Sequence, residues 1–103
     1  MTARPGLAVI EAAVLDDRNR LRPAAARTAV AVFRCAGHRH WQCIVARTTW
    51  GLAVVWREAV VARAARDVVT TDWLDAAPAV IRVTCHCRVS RSVDLMPYRE
   101  TVR

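Results

Sequence analysis

"WQCIVARTTWGLAVVWRE" (Trp41–Glu58) decides how this chain folds. Two β-prone runs, 41 to 47 and 52 to 57, flank "TTWG", and Gly51 can supply the positive φ that a tight hairpin turn requires. The expectation is therefore a β-hairpin. Outward toward the N-terminus, "TAVAVFRC" (28 to 35) is short and rich in valine, and reads as a strand running into Cys35. Further out, Leu7, Ile10, Val14 and Leu15 fall near helical spacing among the helix formers Glu11, Ala12 and Ala13, which predicts a helix ended before Pro23. In the other direction, "EAVVARAARDV" (58 to 68) puts Val61, Ala64, Ala65 and Val68 on one helical face and leaves Arg63 and Arg66 outside it. "TTDWLDAAP" (70 to 78) follows as a capped turn or short helix stopped by Pro78. "AVIRVTCHCRVSRSVDL" (79 to 95) then reads as strand, tight loop, strand, with Cys85 and Cys87 at the bend. The C-terminal "PYRETVR" shows no packing pattern and is expected to fray.

At 103 residues with 54% hydrophobic side chains, the chain can bury a core, but one of marginal stability. Large core-filling residues are few: one Phe, one Tyr and four Trp. Trp41, Trp50 and Trp56 on the hairpin are accordingly expected to fill the core rather than to stack on bases. A metal staple would help such a domain. The expected organisation is an N-terminal helical or extended segment (1 to 27), a domain at 28 to 97 with an insertion at 58 to 79, and a tail at 98 to 103. The apolar stretch near the N-terminus is interrupted by Glu11, and "DDRNR" separates it from "AAA" (24 to 26), unlike a signal peptide. No apolar run approaches membrane-spanning length. A cytoplasmic location is expected, and there four cysteines favour metal binding or thiols over disulfides.

All sixteen basic residues are arginine, and the formal net charge is +7. The abundance of Arg, Ala and Val is similar to that of proteins from GC-rich genomes, such as those of actinobacteria or their phages. Phosphate binding is the functional counterpart, since guanidinium groups make bidentate bonds to phosphate oxygens. A pI near 10.9 raises that expectation.

"RCAGHRHWQC" (Arg34–Cys43) gathers two cysteines and two histidines. Cys35-Ala-Gly-His38 has the spacing by which a tight turn aims two ligands at one ion, and Gly37 would let the backbone bend. Cys85-His86-Cys87 places two thiols one residue apart, so that both face the same way on extended chain. Each pair sits at the end of a predicted strand. The segment from Arg34 to Leu95 resembles a zinc ribbon, with "CAGH" and "CHC" as its knuckles. That resemblance implies a small α+β fold, an antiparallel β-sheet with one or two helices, and structural Zn²⁺ held by Cys35, His38, Cys85 and Cys87. A variant ligand set drawing on His40, Cys43 or His86 stays open, although Cys43, beside Ile44 and Val45, reads as core.

Four protein ligands close a metal site, and the Glu that zinc deaminases need two residues after the histidine is missing here. No nucleophile elbow, phosphate loop or paired-carboxylate motif is present, so no enzyme activity is expected. The expected function is contact with nucleic acid, or with a protein of the transcription machinery, through Arg34, Arg39, Arg88 and Arg91 around the knuckles. The alternative is a protein–protein adaptor, a homodimer being one form of it, whose basic charge reflects genome composition alone.

Overall fold

A computed structural model describes residues 3–37, 39–58, 68–85 and 87–100. The chain forms α1 (Leu7–Val14), α2 (Pro23–Thr28), β1 (Ala31–Arg34), β2 (Trp41–Thr48), β3 (Gly51–Glu58), β4 (Val68–Trp73), β5 (Val80–Val83), β6 (Arg91–Asp94) and α3 (Met96–Glu100). The class is α+β: one curled, antiparallel six-stranded sheet with three short helices among the described residues.

The hairpin at the centre follows its sequence. Thr48 pairs with Gly51 across a two-residue turn, the Thr48 hydroxyl donates to the Gly51 carbonyl at 2.7 Å, and Gly51 adopts φ +121°. Only glycine takes that conformation without strain. β2 and β3 are buried along nearly their whole length because both faces are covered. On one face Cys43, Val45, Val54 and Trp56 meet Ile81, Val83, Val93 and Leu95. On the other, Ile44, Ala46, Val55 and Trp41 meet Val14 and Leu15 from the N-terminal segment, and Ile10 packs with Ala53 and Trp73. The tryptophans thus serve mainly as core: Trp41, Trp56 and Trp73 are buried, and half-buried Trp50 packs beside Ile10.

The strand order is β1-β2-β3-β5-β6, with β4 also paired to β3. Glu58 carries a partner on either edge, Val68 and Val83, so β5 takes up β3 where the recorded β2 pairing stops at Cys43↔Trp56. At the same end β1 and β2 slip register. Phe33 faces Cys43 and Arg34 faces Trp41, leaving Gln42 as the extra residue of a bulge. This curl brings the β1–β2 turn and the β5–β6 turn together.

Several elements differ from expectation. The helix expected over 58 to 68 lies largely at residues 59–67, outside the described residues; at its margins Glu58 ends β3 and Val68 opens β4. Residues 70 to 73 are strand, not a turn or helix, because the β-branched run Val68-Val69-Thr70-Thr71 pairs with Val55–Glu58. The expected C-terminal fraying does not extend to 97–99. Tyr98 meets Phe33 edge-on at 6.2 Å, and Arg99 Nε donates to the Leu74 carbonyl at 3.1 Å. A second short helix, begun by Pro23 at its first position, follows the one expected near the N-terminus.

Candidate metal centre

The two turns are built alike. After Cys35, the Arg39 N–H returns to the Cys35 carbonyl at 3.2 Å, and Cys35 N–H donates to the His40 carbonyl at 2.9 Å. After Cys85, the Arg88 N–H returns to the Cys85 carbonyl at 2.8 Å. Arg39 (φ 59°) and Arg88 (φ 60°) both take the left-handed conformation that closes these turns. Gly37 does not: its φ is not positive, and a Cβ there would meet nothing within 4 Å. The bend assigned to Gly37 therefore belongs to an arginine.

Across the two turns, the donor atoms of Cys35, His40, Cys85 and Cys87 all lie within 4.8 Å of one another. Cys87 Sγ is the hub, 3.0 Å from Cys85 Sγ, 3.4 Å from Cys35 Sγ and 3.5 Å from His40 Nδ1. Cys35 and Cys85 are buried, while His40 and Cys87 are half-buried. None of the four cysteines is in a disulfide. Hydrogen bonding to Cys85, then to Cys35, together with burial, pushes the Cys87 thiol up to about 12. Thiols this close cannot all ionise unless a cation compensates them, and a bound divalent ion would invert that balance. These four side chains form a site able to hold a metal ion.

No protein-family model, curated protein or solved structure matches this chain. The site is therefore argued from its own residues.

Of the ligands expected from sequence, Cys35, Cys85 and Cys87 come together, and His38 lies outside the described residues, as does the alternative His86. His40, weighed as a variant ligand, supplies the imidazole among the described residues. Cys43 is fully buried in the core of β2, where burial pushes its thiol up to about 12. Two further contacts tie the turns together. Gln42, the bulge residue, donates from Nε2 to the Val89 carbonyl at 2.9 Å, and Arg91 Nη2 donates to the Arg34 carbonyl at 3.2 Å.

The four arginines proposed to rim the knuckles are all exposed. Arg34 Nη1 bonds the Arg39 carbonyl at 3.2 Å, and Arg91 lies over the Phe33 ring at 5.3 Å. Arg88 sits on the opposite turn. Sequence reasoning did not find Arg57. It is buried, donates from Nε to the Trp41 carbonyl at 2.9 Å, and lies 4.1 Å over the Trp41 ring. Trp41 Nε1 in turn donates to the Asn19 carbonyl at 2.9 Å, joining the α1–α2 turn to the same corner. The "WR" at the end of the hairpin carried no sign of this stack, because the two partners are sixteen residues apart.

Proposed function

We propose that this protein is a structural-zinc module whose knuckle arginines contact nucleic acid. The observation that supports it is the cluster of three thiols and one imidazole drawn from two turns about fifty residues apart. Zn²⁺ favours this donor set. Donors around zinc at about 2.1–2.3 Å stand about 3.5–3.8 Å apart. The His40–Cys87 separation of 3.5 Å matches, and the sulfurs at 3.0 and 3.4 Å need to part by less than about 1 Å. Cys35, His40, Cys85 and Cys87 would hold the ion. Four protein donors fill the coordination of a closed site, so the ion would cross-link the two turns and polarise no substrate.

Three thiolates, one neutral imidazole and Zn²⁺ carry one net negative charge, and Arg34, Arg39, Arg88 and Arg91 flank its ligands in sequence. Their excess over what that cluster needs supports contact with phosphates, from a nucleic acid bound directly or within a transcription-type assembly. The test is elemental analysis of protein purified without added metal, as wild type and Cys85→Ser, followed by gel shifts on single- and double-stranded DNA across salt. One zinc per chain, lost in the variant, is the expected result. Neutralising four phosphates predicts a slope of log K on log salt of about −3 to −4. Absence of zinc from the wild type would end the metal reading. Salt-insensitive binding, or none, would end the nucleic-acid reading and leave the adaptor.

A further inference from the structure

Beside the metal centre, Arg18, Arg20, Arg34, Arg39 and Arg57 line one cavity of about 400 Å³, with Trp41 in its wall. The five come from three separate parts of the chain. Arg18 and Arg20 belong to the α1–α2 turn, Arg34 ends β1 and Arg39 lies in the β1–β2 turn that follows it, and Arg57 belongs to β3. No acidic residue lines the cavity among the described residues. Asp16 supplies a counter-charge, its Oδ2 accepting from Arg20 Nε at 2.9 Å. Asp16 also accepts the backbone N–H groups of Arg18 and Arg20 at 2.9 Å, which shapes the turn that carries both arginines.

We propose that this cavity seats a phosphomonoester dianion. Five arginines around one space suit an anion with three equivalent oxygens better than a carboxylate, and guanidinium–phosphate bonds are charge-assisted and often bidentate. Part of the site is organised in advance. Arg57 lies over the Trp41 ring and donates to the Trp41 and Asn19 carbonyls, and Arg34 is bonded to the Arg39 carbonyl. The volume lies at the lower end of the roughly 300–1,000 Å³ of small-molecule sites, which leaves room for a body attached to the phosphate. That body is the terminal nucleotide of a strand or a free mononucleotide. The site shares Arg34 and Arg39 with the nucleic-acid reading, yet it rests on a separate observation, the cavity and its two further elements.

The experiment measures fluorescence anisotropy of a 3′-labelled twelve-nucleotide single strand bearing either a 5′-phosphate or a 5′-hydroxyl. Inorganic phosphate and adenosine 5′-monophosphate serve as competitors. The metal-loaded wild type is compared with Arg18→Gln, Arg39→Gln and, as a charge-matched control at an exposed position of β5, Arg82→Gln; unchanged melting confirms that each variant is folded. The expected result is at least tenfold preference for the 5′-phosphate, reduced fivefold or more by Arg18→Gln and Arg39→Gln and less than twofold by Arg82→Gln. Equal binding of the two strands, or equal loss in all three variants, would overturn the site and leave only general attraction of a basic protein. If neither strand binds, calorimetric titration decides. Arg39-dependent binding of adenosine monophosphate would keep the site while removing the nucleic-acid reading, and no binding would remove both.

Discussion

Removing the ion should lower the melting temperature sharply, and the structure sets the size of the drop. Cys35 and Cys85 stand at the ends of a loop of about fifty residues. A cross-link closing such a loop restricts the unfolded chain by about 4 kcal/mol on the chain-entropy model. Mass action gives a similar figure, since an ion at a thousand times its Kd stabilises the folded state by about 4 kcal/mol. In a domain of this length each kcal/mol moves the midpoint by about 4–8 °C, so loss of the ion should cost about 15–30 °C. The assay is thermal melting by tryptophan fluorescence and circular dichroism on metal-loaded protein, with and without a strong chelator. Cys85→Ser in excess zinc should melt with the chelated wild type. A shift below about 3 °C, in protein shown to hold one ion per chain, would refute the cross-link.

Other outcomes follow from single residues. His40→Ala should reduce zinc content to the level of Cys85→Ser; retention of the ion in that variant and loss in His38→Ala would move the fourth ligand to His38. Cys43→Ala should keep its full zinc and lose about 1 kcal/mol of stability from a small core cavity, checked by denaturant unfolding. The buried Cys43 thiol stays protonated in the fold to about pH 12, whereas in the unfolded chain it ionises near 8.5–9. The folded state therefore binds the extra proton, and stability should fall between pH 9 and 12 by about 1.4 kcal/mol per unit; Cys43→Val should flatten that slope in pH-dependent urea titrations of metal-loaded protein. Arg88→Gly should stabilise the β5–β6 turn by up to about 1 kcal/mol by relieving a left-handed non-glycine, while weakening DNA binding in the gel shift.

The hairpin of β2 and β3 was legible because two β-prone runs meet at a turn containing a glycine that takes positive φ. The three cysteines of the candidate site were legible too, since each lies where a strand gives way to a turn. The imidazole was harder to choose. Local spacing points to His38, which lies outside the described residues; among those described, the bond from Arg39 N–H to the Cys35 carbonyl wraps the turn and His40 Nδ1 reaches Cys87. No local rule places an arginine at φ 59°. β4 was obscured because Val68 also completes a plausible helical face with Val61, Ala64 and Ala65. The Arg57–Trp41 stack and the five-arginine cavity arise from long-range convergence, which composition signals only as an excess of charge.

The curl of the sheet gives the metal centre one more consequence. β1 and β6 stand at the two ends of the main strand order, yet Arg91 at the start of β6 reaches the backbone of Arg34 at the end of β1. The ion would act as a clasp on an almost closed band. Opened, the band would separate β1 from β6 and expose their outer margins, which no strand among the described residues pairs, as templates for another chain. Metal starvation would then show itself first as clustering of otherwise folded molecules, visible by light scattering well below the melting point, and a zinc module of this shape would guard against aggregation as much as against unfolding.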